Sequence, residues 1–180
     1  MNRQIKQMKI MLGALALVII CVIGITIYNK TQSDKEAAAE EKKVLCEIDA
    51  ASVTAFSYIT DGETLSFTLT DDEWVYDGDS SLSIDTDAVE EMLDTVSSLS
   101  YEEIVEDAED ISSYGLDNPT NIITITTSDN TYTFTIGNKN EMTYDYYMLF
   151  GDDDTVYTVS SDLTSAFSSS LDDLLETASE

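Results

Sequence analysis

Histidine is absent from all 180 residues, which removes Ser-His-Asp and Cys-His nucleophilic sites and every His-ligated metal site together. Basic residues are almost as scarce. Eight Lys and Arg stand against 36 Asp and Glu, a formal net charge of −28. A chain this acidic cannot neutralise phosphates, so nucleic-acid binding through a basic footprint is excluded. The two cysteines, Cys21 and Cys46, are too few for a disulfide framework. Pro119 is the single proline, so no Pro-rich linker divides the chain. With these absences no cofactor is expected.

What charge there is has an uneven distribution. Residues 1–43 carry seven bases and four acids, a balance of +3, whereas residues 44–180 carry 32 acids and the single base Lys139, a balance of −31. Between the N-terminal bases and the acidic remainder runs IMLGALALVIICVIGITIY, residues 10–28, with no charged side chain. As a helix it would span roughly 28 Å, enough for a bilayer core. Arg3, Lys6 and Lys9 precede it, and the positive-inside rule then keeps residues 1–9 in the cytoplasm. The nearest small-x-small cleavage site, Ala37-Ala38-Ala39, lies well past the apolar run, so an uncleaved signal anchor is expected. Cys21 follows Val18-Ile19-Ile20 rather than the small residues of a lipobox and reads as a small apolar residue in the span.

Residues 29–43, NKTQSDKEAAAEEKK, have no apolar periodicity and read as a polar tether. The expected placement is a single-pass cell-membrane protein with its acidic domain, residues 44–180, outside. Anionic headgroups attract the lysines of the tether and repel the domain, holding it off the membrane.

The outer 137 residues suffice for one compact core. Val53–Ile59 and Thr64–Thr70 are alternating β-branched and aromatic runs around Asp61-Gly62, a hairpin pattern. Asp71-Asp72 makes a second turn before a short strand at Glu73–Tyr76, with Trp74 packed on the sheet. From Asp85 the period becomes helical: Asp85, Thr86 or Asp87 can cap, and Val89, Met92, Leu93, Val96 and Leu99 form one stripe. A strand is expected over 101–105. After the acidic run 106–110, Gly115 can close a short turn in the left-handed region, and Pro119 stops it. Strands are then expected at 121–127, 131–136, 142–150 and 155–159, with a turn at 137–140 and a final helix over 161–176.

A shift of 67 positions lays Thr64–Leu69 on Thr131–Ile136 with Phe67 over Phe134. Strands followed by a helix thus occur twice, in halves of about 44–105 and 106–180. The expected fold class is α+β: an N-terminal transmembrane helix, then a compact domain of antiparallel strands with two main helices in two similar halves.

Candidate sites are few. Paired carboxylates can hydrolyse glycosides, but among 32 acids close pairs arise by chance, and a solvated acidic surface is the simpler reading. Asp77-Gly78-Asp79 opens like a calcium-binding EF-hand loop, yet Leu82 and Ala88 occupy the positions that need glycine and glutamate. The remaining metal candidates are Asp152, Asp153 and Asp154 in a hairpin turn, set against an acidic turn that keeps an outer strand soluble. Lys139 sits in a polar turn, which disfavours a Ser-Lys dyad. Cys46, the one outer thiol, reads as a small apolar residue, with an intermolecular disulfide as the alternative. Met142, Tyr144, Tyr146, Met148 and Phe150 share one strand face and are expected to face the core. A partner-binding aromatic patch would use the opposite face, with Thr143, Asp145 and Tyr147.

The order of anchor, hairpin, Trp74 strand, helix opened by Asp85 to Asp87, and Tyr114-Gly115-Leu116-Asp117-Asn118-Pro119 resembles the domain of unknown function 4340 family of bacterial membrane-anchored proteins. Ile136-Gly137, Tyr146-Tyr147 and Val156-Tyr157 extend the resemblance, which covers about residues 44–176. It implies an accessory role at the cell envelope beside ABC transporter subunits similar to gliding-motility accessory components, and it supplies no catalytic motif. The expected function is therefore a non-enzymatic binding or scaffolding domain on a membrane anchor. The alternatives are a calcium-responsive binding module and, third, a carboxylate-dependent hydrolase.

Overall fold

A computed structural model describes residues 43–176 apart from 107 and 109. The expected anchor (10–28) and nearly all of the tether (29–43) lie outside the described residues. Among the described residues no helix is long and apolar enough to cross a membrane.

The domain is mostly antiparallel sheet with two helices, an α+β fold. Its strands are β1 (Val44–Glu47), β2 (Val53–Thr60), β3 (Glu63–Thr70), β4 (Glu73–Tyr76), β5 (Ser98–Ser100), β6 (Glu103–Ile104), β7 (Asn121–Thr127), β8 (Thr131–Lys139), β9 (Tyr146–Phe150) and β10 (Tyr157–Val159). The helices are α1 (Thr86–Asp94) and α2 (Ser161–Ala166). Eight strands form one sheet in the order β4-β3-β2-β7-β8-β9-β10-β6, and β1 pairs with β5 in a separate ribbon.

Local chemistry explains the first hairpins. Asp61 and Gly62 both take positive φ, 52° and 81°, the backbone twist that joins tightly turned strands. Asp71 and Asp72 adopt the same signs, 53° and 68°, at a steric cost that aspartate tolerates better than most residues. The Asp85 carboxylate accepts the Ala88 N–H at 3.2 Å and starts α1. Val89, Met92 and Leu93 form its buried side, but the helix stops at Asp94, so the stripe expected to continue is broken: Val96 is buried from the following turn and Leu99 from β5.

The register carries the internal repetition. Phe56–Phe67 and Ser57–Ser66 face each other across β2 and β3 as Ile123–Phe134 and Thr124–Thr133 do across β7 and β8, each pair displaced by 67 positions. At the centre Ser57 of β2 faces Thr124 of β7, its own counterpart, which is the register of an approximate two-fold axis. Next along, Trp74 faces Leu69 as Met148 faces Ile136. Phe67 and Phe134 are both fully buried, and Val89 and Leu93 match Leu163 and Phe167 as buried i, i+4 pairs.

Several expectations need correction. The strand expected over 142–150 begins only at Tyr146, because Asn140 folds the preceding residues into a loop: its side chain accepts the Met142 N–H at 2.9 Å and its carbonyl the Tyr144 N–H at 2.8 Å. Met142 and Tyr144 therefore do not face the core. The turn expected at 137–140 is largely strand, since β8 runs through Lys139. The strands expected over 101–105 and 155–159 are shorter, as β6 and β10. The final helix stops at Ala166, followed by a 3-10 turn at Leu171–Leu174. Ser168, Ser169 and Ser170 intervene, and the Ser168 hydroxyl bonds the Ser165 carbonyl at 2.9 Å, the backbone competition that ends serine-rich helices.

The stretch after β6 packs over the sheet. Asp110 accepts the Ser112 N–H at 3.0 Å, and Gly115 at φ 72° closes the 3-10 turn Ile111–Tyr114, as its sequence suggests. Tyr114 meets Tyr147 with ring centroids 4.8 Å apart, and Leu116 is buried beside Gly137. A Cβ on Gly137 would overlap the Tyr114 carbonyl oxygen and crowd Leu116. Gly137→Ala is accordingly expected to lose roughly 1–3 kcal/mol of stability through overpacking, with faster amide exchange across 111–118 in hydrogen-exchange measurements.

Candidate binding surfaces

Three features stand out on the described domain: two clefts where helix meets sheet, and one protruding loop. The first cleft, about 450 Å³, lies between α1 and the β3–β4 turn. Leu69, Trp74 and Leu93 supply its apolar lining and Asp72, Glu90 and Asp94 its carboxylates. The second, also about 450 Å³, lies between α2 and the ends of β2, β7 and β9. The two are counterparts. Where the first has Val53, Asp72, Glu90, Leu93 and Asp94, the second has Thr120, Tyr146, Thr164, Phe167 and Ser168. One fold thus builds an acidic cleft and a hydroxyl-rich one.

The second cleft is braced by a set of bonds that sequence reading missed. Three side chains of the sheet satisfy three successive carbonyls beyond α2. Asn121 Nδ2 donates to Phe167 O at 2.8 Å, Thr60 Oγ1 to Ser168 O at 3.1 Å, and Tyr58 OH to Ser169 O at 2.9 Å. Asn121 Oδ1 also accepts the Ile59 N–H at 2.8 Å. These carbonyls have no intrahelical donor, and side chains 46 to 111 positions away replace it. Burial, and secondly the charge of Asp173, pushes the Tyr58 hydroxyl above the usual tyrosine range. The available sequence signal was a lone asparagine opening a strand otherwise made of isoleucine and threonine.

The loop between β8 and β9 exposes Met142 (89 %) and Tyr144 (66 %). Tyr144 sits at φ 68°, a left-handed conformation rare for an aromatic residue. Besides the two Asn140 bonds, Asn140 N–H donates to Asp145 O at 2.7 Å, so the loop is closed on itself. Lys139 Nζ lies 5.1 Å from the Tyr144 ring centroid and 5.7 Å from that of Tyr146, within cation–π range. The one base of residues 44–180 thus faces two aromatic rings.

The aromatic residues divide. Tyr146, Phe150 and Tyr157 pack against the core cluster and Met148 is buried within it, while Tyr147 lies on the opposite face against Tyr114. The metal candidates sit in the exposed β9–β10 turn. Asp153 accepts from Thr155 Oγ1 at 2.7 Å, Thr155 N–H at 3.0 Å and Tyr157 OH at 3.3 Å. The Thr155 bonds hold its carboxyl below the usual range. Asp152 and Asp154 flank it in the same exposed turn. Among the described residues no three His, Cys, Asp or Glu side chains group so as to hold a metal ion. Asp79, of the failed EF-hand pattern, accepts from Ser81 Oγ at 2.7 Å and N–H at 3.0 Å.

Cys46 lies half-buried in β1, and burial pushes its thiol from 9.0 up to about 11. A folded pKa raised in this way stabilises the domain fully below the unfolded value and loses that contribution as pH rises through the folded one. Native Cys46 is expected to react with iodoacetamide at pH 8 roughly 100-fold more slowly than the unfolded chain, as followed by peptide mapping that separates it from Cys21.

No curated protein and no solved structure matches this chain. Residues 74–179 match the family described as Domain of unknown function (DUF4340). That span runs from Trp74 at the rim of the acidic cleft, through the Tyr114–Pro119 stretch and the Asn121 brace, past α2. By this match over more than half of its length, the chain belongs to the DUF4340 family.

Proposed function

We propose that the chain is a single-span membrane protein with a cytoplasmic N-terminus, whose outer domain binds or positions another envelope component without catalysing a reaction. An ABC-type transport complex is the partner that the resemblance described above implies. The apolar run 10–28 behind Arg3, Lys6 and Lys9 supports the anchor. The shared register of the two hairpins supports descent from a duplicated strand-plus-helix unit.

The observation that carries the binding role is the β8–β9 loop. An exposed methionine and an exposed tyrosine, with Lys139 against the tyrosine ring, project from a self-bonded loop of a strongly acidic domain and are the two most exposed large apolar side chains among the described residues. Large amphipathic side chains held in place lose little conformational entropy on docking. Affinity capture from membranes with tagged full-length protein is expected to recover a transporter subunit. The double variant Met142→Ser/Tyr144→Ser should lower that recovery about tenfold, the loss of roughly 1.4 kcal/mol of contact energy, with its melting temperature unchanged. Failure of the wild-type protein to recover any transporter subunit would overturn the proposal.

A further inference from the structure

We infer that the free edge of β4 accepts an extended segment of a partner protein in which apolar residues alternate with lysine or arginine. This rests on the binding role proposed above and names the chemistry of its partner.

The strand order is the first reason. β4 and β9 hold equivalent places, each paired antiparallel with the second strand of a matching hairpin. Beyond β9 the sheet continues: Tyr157, Thr158 and Val159 of β10 lie opposite Met148, Tyr147 and Tyr146. Beyond β4 it ends. There the chain turns away toward α1, with Asp79 N–H donating to Tyr76 O at 3.2 Å and Leu82 N–H to Asp79 O at 3.3 Å. Among the described residues no strand takes beside β4 the position that β10 fills beside β9.

The backbone of that edge is correctly presented. Asp77 N–H donates to Ser66 O at 2.9 Å. Antiparallel alternation then directs Val75 and Glu73 toward β3 and turns the N–H groups of Trp74 and Tyr76 outward. An added strand would bond to the N–H and carbonyl of Trp74 and to the N–H of Tyr76, whose carbonyl already accepts from Asp79, in the usual mode of strand addition.

Side-chain chemistry selects the occupant. On β10, Tyr157 and Val159 pack toward the core and Thr158 faces the other way. A segment seated on β4 would likewise set apolar side chains beside Trp74, at the mouth of the first cleft. Its alternate side chains would face Glu73 and Asp77, which flank Val75 on the opposite side of the strand. Opposite charges directly across a strand pair stabilise it and like charges destabilise it. The same acids repel the β4 edge of a second copy, so a cationic partner is favoured over self-association.

Trp74 is the single tryptophan of the chain and reports on the site directly. The probe is an acetylated octapeptide of alternating valine and lysine, added to full-length protein in detergent micelles. Saturating peptide should slow amide exchange at Trp74 and Tyr76 about tenfold and shift Trp74 emission. An octapeptide of alternating glycine and lysine, equal in charge but poor at forming strands, should do neither. The variant Glu73→Lys/Asp77→Lys, checked for an unchanged melting temperature, should bind the valine-lysine peptide about tenfold more weakly. Equal protection by both peptides, protection that spares Trp74 and Tyr76, or unchanged affinity of the double variant would overturn the inference. Peptide binding at this edge without transporter capture would overturn the proposed partner and leave the edge assignment standing; capture without edge protection would do the reverse.

Discussion

Asn121→Ala is expected to destabilise the domain by roughly 2–4 kcal/mol, because it leaves two groups without partners at one buried point. The Ile59 N–H loses its acceptor and the Phe167 carbonyl its donor, and each unpaired buried group costs about 1–3 kcal/mol. Urea unfolding followed by Trp74 fluorescence measures the loss. Asn121→Asp separates hydrogen bonding from cavity formation. At pH 7 its carboxylate still accepts from Ile59 but opposes the Phe167 carbonyl, whereas its protonated form can donate to it. The folded pKa of that aspartate is therefore raised, and stability should recover as pH falls through it. A loss in the Asp variant equal to that of the Ala variant, and insensitive to pH, would show that volume rather than pairing matters at this site.

Phe134→Ala should cost about 3–5 kcal/mol, the range for deleting a buried aromatic side chain. Phe134 is fully buried, and its ring stacks on Phe150 with centroids 5.3 Å apart. Its counterpart Phe67 is equally buried and stacks on Phe56 at 4.8 Å, so Phe67→Ala should cost a similar amount. Against a typical domain stability of about 5–15 kcal/mol, either substitution removes a large fraction of the total. A loss below about 1 kcal/mol in one variant alone would mean that its half of the sheet relaxes around the cavity.

The parts of this fold that were readable in advance are those whose cause is local. Asp61-Gly62 and Asp71-Asp72 announce turns because their backbones reach positive φ. Gly115 announces a left-handed cap, and Val89, Met92 and Leu93 reveal the buried side of α1 through helical spacing, whereas Leu99, expected on the same stripe, is buried from β5. Errors came where a remote or competing bond decided the outcome. Alternation from Met142 to Phe150 satisfied a strand pattern, but the Asn140 side chain folds the first residues into a loop and turns two core candidates outward. The helix expected to reach residue 176 ends at Ala166, where sheet side chains and serine hydroxyls take over its carbonyls.

The same division holds for the candidate site. Composition and residue order alone determined that residues 44–180 carry −31 and a single base, that histidine chemistry is absent, and that two similar alternating runs recur 67 positions apart. These depend only on which residues are present and on their spacing. Tertiary structure decided that the matching hairpins meet at Ser57 and Thr124, that the two helix–sheet clefts become counterparts of different polarity, and that β9 gains a neighbour while β4 ends the sheet among the described residues. Each of those outcomes depends on strand pairing and loop closure between positions far apart in the chain, which local periodicity does not encode.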